Sequence, residues 1–520
     1  MNCFDFRARN YVPGREFQRT TLHMIFDVKQ DLRRKARLVA GGHLLELIDT
    51  PTYSSTVKSI SVQLLHVIAH KTNMSQLCGD IGNAYVNAYT TEKVYARAGP
   101  EFGDHEGCIV IIIKALYGLC SSSERWHSHF SNTLRSFKFK PTRFDKDVWI
   151  RQHESGKSYE YICTHSDDFM ITSHTPEKIM EQLESVYKVK ESSKGPPTYY
   201  LGHDYKRDKR GRWCIGCKKY LDEAIKRIEK IFGDLPKKNT PMIAGDHPEE
   251  DSSPILGENQ HNNYQMLIGI LNWVICLGRI DIAFAASSLS RFSACPREGH
   301  LNRALRVFGY LKKNKNRRIV VDSRDPIYVG GADAMNLDFT QIFHAQYPDA
   351  TEEIDTNLPP PLVEEIEITA FVDSDHAHDL VTRRSITGIL ILVGRTPVFI
   401  LSKRQGAIET STYGAEFCAM RTAVEEIQSV RYMMRCLGVK VSRASLVCGD
   451  NLGVIQNCTL SESLLKKKHV AIAYHKSREA AAAGMIHPMK VLSKNNFADL
   501  LTKALGGQVF WSLLDRMTRG

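Results

Sequence analysis

Two adjacent carboxylates constrain this chain more than any other feature. Asp167 and Asp168 lie in the tripeptide Ser166-Asp167-Asp168, between the apolar segments Tyr159-Glu-Tyr-Ile-Cys163 and Phe169-Met-Ile-Thr172. The segments read as the arms of a β-hairpin and the tripeptide as its tip. Neighbouring carboxylates repel each other unless a cation sits between them. Two divalent metals about 3.5–4 Å apart would remove the conflict and hold the attacking and leaving oxygens of a phosphoryl transfer. Taken alone, Asp-Asp is more often a plain turn signal; the rest of the chain reverses that balance.

The 520 residues suffice for roughly three domains. With 42% hydrophobic and 24% charged residues, the chain can build several cores. Its net charge of +11 favours a polyanionic partner without identifying one. The 13 cysteines are scattered, and an odd number without a signal peptide points to a reducing intracellular compartment. Cys214-Ile-Gly-Cys217 has no second pair at zinc spacing and reads as strand. The longest apolar run, Ile109-Val-Ile-Ile-Ile113, is too short to span a bilayer.

An acidic stretch from Asp333 to Glu367, carrying Pro359-Pro360-Pro361, reads as a linker because consecutive prolines block helix and strand pairing. Before it, 33–39 reads as a strand with cations on one face. Ser61 to Ala69, Ser121 to Phe137, Pro176 to Tyr187, Tyr220 to Phe232 and His300 to Lys312 read as helices. After it, strands are expected at Ile366 to Asp373, Gly388 to Val393, Pro397 to Ser402, Ser445 to Cys448 and Ile486 to Leu492. A long amphipathic helix is expected at Tyr413 to Leu437, and a further helix at Ala473 to Ala483. That order predicts a mixed-sheet α/β domain.

A third acid, Asp80, follows an apolar strand in Leu77-Cys-Gly-Asp-Ile-Gly-Asn-Ala-Tyr85. One Asp from a strand and an Asp pair from a hairpin suit a two-metal nucleotidyl transferase. Tyr85, five residues on, is placed to exclude a 2′-hydroxyl; its bland reading is a core aromatic. Four further acids are spaced through the C-terminal part: Asp373, Glu416, Asp450 and Asp499. Strand-end acids and a helix acid can converge on one sheet edge, and such a cluster requires metal.

In these motifs the chain resembles the reverse transcriptase–RNase H portion of copia-type LTR retrotransposon polyproteins. The matching residues are Lys35-Ala-Arg-Leu-Val-Ala40, Asp80 to Tyr85, Lys114-Ala-Leu-Tyr-Gly-Leu119, Trp126, Ser166 to Asp168 and Tyr200-Leu-Gly202. Asp281-Ile-Ala-Phe284, Ser290-Arg-Phe292, Tyr310-Leu-Lys312, Arg383-Arg-Ser-Ile-Thr-Gly388, Ser402-Lys-Arg-Gln405 and Lys467-Lys-His469 continue the series in the family's order. The resemblance implies a multidomain α/β and α+β protein. A right-hand polymerase (N-terminally truncated fingers and palm at 1–205, thumb and connection at 206–330) would precede a linker at 331–365 and an RNase H-like α/β domain at 366–520.

The resemblance also implies roles. Asp80, Asp167 and Asp168 would bind two Mg²⁺, as would Asp373, Glu416, Asp450 and Asp499, with Mn²⁺ as the alternative ion. Lys35 or Arg37 would contact the incoming deoxynucleoside triphosphate, and Tyr85 would be the sugar gate. Partners would be an RNA template, a DNA primer and the RNA–DNA hybrid, with no membrane, in the cytoplasm (within a virus-like particle) or the nucleus. The cluster Arg303, Arg306, Lys312, Lys313, Lys315, Arg317 and Arg318 would track phosphates; its bland reading is a solvated helix face. Two departures stand out: His165 and Ser166 replace the family's aromatic and small apolar residue before the paired acids, and Cys120 replaces a lysine. His165, Ser166 and the truncated N-terminus favour a rival reading, a decayed product that binds nucleic acid without polymerising or that keeps RNase H activity alone, and retention of all seven carboxylates opposes it.

Overall fold

A computed structural model describes residues 3–28, 34–46, 51–326, 337–463, 465 and 470–520. Lys467-Lys-His469 and parts of the 33–39 and 331–365 segments lie outside them. The chain divides into two compact units: Met1–Lys58 with Ser75–Pro196, and Ser59–Met74 with Pro197–Gly520.

The first unit is built on a five-stranded antiparallel sheet in the order Ser75–Asp80, Asp168–Ser173, Tyr159–His165, Val148–Gln152, Lys140–Pro141. Helices Ser122–Ser136 and Pro176–Glu184 are amphipathic and supply Trp126, Phe130, Leu134, Ile179 and Leu183 to a core shared with Ile162, Phe169 and Ile171 of the sheet. Gly79 is required by close approach, because a Cβ there would lie 2.4 Å from the Phe169 ring. The hairpin Leu22–Val28/Arg34–Ala40 pairs Asp27 with Lys35 and Ile25 with Arg37, so both cations share one face. Gly118 adopts φ +96°, and a Cβ on it would lie 2.0 Å from the Ala40 carbonyl oxygen, so only glycine fits against the strand carrying those cations.

The second unit contains a five-stranded sheet in the order Thr396–Arg404, Ile386–Val393, Ile368–Asp375, Ser445–Gly449, Ile486–Lys490. The first three strands are antiparallel and the last two run parallel to Ile368–Asp375. The helix Thr412–Cys436 packs against it through Phe417, Met420, Val424, Ile427, Val430 and Met434. This is the mixed-sheet α/β arrangement that the sequence predicts for this part of the chain.

A second five-stranded sheet, Tyr199–Tyr200, His203–Arg207, Trp213–Gly216, Arg318–Val320 and Thr518–Arg519, takes its last strand from the end of the chain. One buried apolar cluster runs from Cys217 through Leu271, Phe308 and Leu390 to Met517. The break near 330 expected from composition therefore does not divide the core, and the division between units falls at 196/197. The helix Ser59–Thr72, expected with the fingers and palm, belongs to this second unit, where Ser59 Oγ donates to the Cys276 carbonyl (3.2 Å).

The described part of the acidic linker is anchored at a few points. Asp338 caps the helix Phe339–Phe343, whose two phenylalanines are buried. Glu352 accepts from Arg431 (2.7 Å) and Arg435 (2.6 Å) on the long helix. Acidic composition here reflects specific basic partners, which no local pattern reveals.

Asp281-Ile-Ala-Phe284 and Tyr310-Leu-Lys312 meet in the helical part of this unit. Asp281 accepts from Arg279 Nε (2.9 Å) and Nη2 (2.6 Å) and from the Tyr310 hydroxyl (2.6 Å), all fully buried. Removing one partner of such a pair leaves an uncompensated buried charge. Asp281→Ala is expected to cost about 3–5 kcal/mol in urea unfolding; a loss under about 1 kcal/mol would show that Arg279 finds another partner.

Candidate active sites

The hairpin tip is a two-residue turn, with His165 opposite Asp168 and Ser166 at φ +57°. A β-branched residue is strained in that left-handed conformation, so serine suits the turn. The indole Nε1 of Trp126 donates to the Ser166 carbonyl (2.9 Å) and braces the tip from below. The strand register sets Asp168 directly beside Asp80, while Asp167 stands in the turn. The Ile81 amide donates to the Asp167 carbonyl (2.8 Å).

Lys190, which the sequence did not single out, forms a close ion pair with Asp80 Oδ1. The backbone supports it, the Lys190 amide donating to the Asp80 carbonyl (2.9 Å). Even so, burial and the charges of Asp167 and Asp80 push the Asp168 carboxyl up to about 7, against the pull of Lys190. Asp167 and Lys190 line a cavity of about 570 Å³ together with Lys35, Arg37, Asn83 and Tyr117. Tyr85 is not part of this lining. Its ring packs on Tyr117 at 4.7 Å between centroids, and the Arg37 guanidinium lies 5.8 Å from the Tyr117 ring centroid. Tyr117, the tyrosine of the Lys114 to Leu119 motif, is thus the link between Arg37 and Tyr85.

In the second unit, ligand oxygens of Asp373, Glu416 and Asp450 lie within 4.8 Å of one another. Asp373 sits within the central strand, Asp450 follows the strand Ser445–Gly449, and Glu416 lies in the second turn of the long helix. Asp499, on the turn Phe497–Leu501, joins the group through Lys503, whose Nζ is 3.1 Å from Asp499 and 3.7 Å from Asp373. The Thr502 hydroxyl donates to Asp373 (2.5 Å). Burial, then Asp373 and Asp450, raises the Glu416 carboxyl to about 9; burial and Asp373 raise Asp499. Acids this crowded suit a dication, because its charge opposes both the burial penalty on the ionised form and the repulsion among them.

The basic cluster before the linker is largely satisfied inside the fold. Arg303 binds Asp246 and Asp251, Lys312 binds Glu229 and Asp234, Lys315 binds Asp222, and Arg317 binds Asp515. These four of the seven cations therefore already have acidic partners within the fold.

The model for the family "Reverse transcriptase (RNA-dependent DNA polymerase)" matches residues 16–244. The Retrovirus-related Pol polyprotein from transposon RE1 of Arabidopsis thaliana is 25% identical over 492 residues, 93% of this chain and 30% of the relative. That from transposon TNT 1-94 of Nicotiana tabacum is 22% identical over 499 residues, 92% of this chain and 34% of the relative. Over most of its length this chain is similar to retrotransposon Pol polyproteins. It spans about a third of the length of those relatives. A solved foamy viral protease–reverse transcriptase in complex with double-stranded DNA aligns over 95% of this chain and 67% of its own, at 11% identity and TM-score 0.47. No helix among the described residues of this chain is long and apolar enough to cross a membrane.

The raised Glu416 carboxyl has a consequence for stability without metal. A carboxyl whose pKa is higher folded than unfolded stabilises the fold fully below its unfolded pKa, and that contribution is lost as pH rises toward 9. Metal-free Glu416→Gln is therefore expected to melt higher than the parent at pH 8 and to gain less from Mg²⁺. A lower metal-free melting temperature for the variant would contradict the crowding.

Proposed function

We propose that this chain is an RNA-directed DNA polymerase with an RNase H, both acting by two-metal phosphoryl transfer. The observation that carries the reading is the same in both units: acids from separate elements are gathered until one of them can no longer ionise normally. Asp80, Asp167 and Asp168 would hold Mg²⁺ in the polymerase. Asp373, Glu416, Asp450 and Asp499 would hold it in the RNase H-like domain, with Mn²⁺ as the alternative. When bound, the ions would activate the attacking oxygen and neutralise charge on the leaving one.

The chain's own residues do the rest. Lys35 and Arg37 line the cavity beside Asp167 and would bind the triphosphate of a deoxynucleotide. Tyr85, held by Tyr117, would close the sugar side against a 2′-hydroxyl. Asp499 and Lys503 would position Asp373 and the attacked RNA phosphate. The substrates would be an RNA or DNA template with a DNA primer, then the resulting hybrid, inside the cell. Residues 1–205 would act as fingers and palm and 206–330 as thumb and connection.

Extension of a DNA primer on an RNA template with Mg²⁺ tests the polymerase. The parent is expected to extend, and Asp167→Asn to lose about 100-fold or more in rate. A folded parent that does not extend would sink the polymerase reading and leave the decayed-product one. Asp450→Asn should lose hybrid cleavage to a similar extent while extension persists; equal cleavage by parent and variant would remove the RNase H assignment.

A further inference from the structure

A second cluster of metal-binding side chains lies outside both carboxylate sites. Ligand atoms of His247, Glu249 and His378 fall within 4.8 Å of one another. His378 follows the strand that carries Asp373, whereas His247 and Glu249 flank Pro248 at the turn Pro248–Glu250, before the helix Glu258–Cys276. We infer that these three residues form a site for a transition metal of the Zn²⁺ class, stapling the helical part of the second unit to the loop beside Asp373.

The state of His378 is the decisive observation. The residue is 7% exposed, and its Nδ1 lies 2.7 Å from Asp375 Oδ2. A carboxylate accepts, so Nδ1 carries the proton and Nε2 keeps its lone pair. That Nε2 is buried and has no hydrogen-bond partner among the described residues. Buried polar atoms are rarely left so, and each exception calls for an explanation. A carboxylate that fixes one imidazole nitrogen and leaves the other free to coordinate is the arrangement that orients a metal-bound histidine.

The remaining members complete the set. The His247 and His378 rings lie 5.0 Å apart between centroids. His247 Nδ1 is 3.0 Å from Glu249 Oε1, which also accepts from the Leu380 amide (3.0 Å). The nearby cation, Arg291, is 3.4 Å from Glu249 Oε2 but spends its stronger contact on Asp379 (2.6 Å), which also holds Arg404. Two imidazoles and one carboxylate suit Zn²⁺ with an open fourth position, and they discriminate against Mg²⁺, which prefers oxygen ligands. His376, the other histidine of the same segment, donates from Nε2 to the Glu409 carbonyl (2.9 Å) and takes no part.

The test is Zn²⁺ binding by the metal-stripped full chain, read by equilibrium dialysis in millimolar Mg²⁺ and by the visible spectrum of the Co²⁺ form. One Zn²⁺ per chain is expected, weakened about 100-fold or more in His378→Gln and in His247→Gln, about tenfold in Asp375→Asn, and unchanged in Asp450→Asn. His247 is partly exposed, so His247→Gln should keep the metal-free melting temperature and lose only the rise produced by Zn²⁺. This variant carries the test if His378→Gln fails to fold. Absence of Zn²⁺ binding, or binding that Asp450→Asn abolishes and the histidine variants retain, would overturn the site.

Discussion

Repulsion between carboxylates brought together at sheet edges is the constraint around which both units are organised. Asp168 stands beside Asp80 because the strands pair in that register, and the turn at Ser166 sets Asp167 next to both. Glu416 faces Asp373 and Asp450 because the long helix crosses the sheet that carries them. Each group has recruited one lysine, Lys190 in the first unit and Lys503 in the second, and in neither does a single ammonium neutralise the acids. What holds like charges together is the packing beneath: Trp126, Phe130 and Phe169 under the hairpin, and Phe417 and Met420 under the second cluster. The apolar cores supply the free energy that the carboxylates cost.

The second unit is unified by the same economy of long-range contacts. Its apolar cluster, the buried Arg279–Asp281–Tyr310 group and the strand Thr518–Arg519 all join segments remote in sequence. The mixed sheet that carries Asp373 is thereby joined through one apolar cluster to the helices that precede it. Domain boundaries read from composition mark where the chain is polar, whereas these contacts decide where the core is continuous.

The acids were legible in the sequence because their signals are local: an Asp pair between two apolar runs, and acids that follow apolar strands. The strands and the long helix were legible for the same reason, their periodicities of 2 and 3.6. Lys190 was not legible, since it meets Asp80 across 110 positions and a lone lysine carries no pattern. Tyr117 read as part of a family motif, and only the ring contacts show it joining Arg37 to Tyr85. The acidic partners of the basic cluster, Asp222, Glu229, Asp246 and Asp515, were not legible because they lie far away along the chain. His247, Glu249 and His378 escaped notice for the same reason.

The account is tested most directly by the protons that Mg²⁺ displaces. Acids whose pKa values are raised to about 7 and about 9 carry protons at neutral pH, and a dication must expel them to bind. Mg²⁺ titration calorimetry at pH 7 in buffers of different ionisation enthalpy should show net proton release, reduced in Asp168→Asn and again in Glu416→Gln. Mg²⁺ binding at pH 7 without proton release would contradict the claim that crowded, partly protonated carboxylates form the two metal sites.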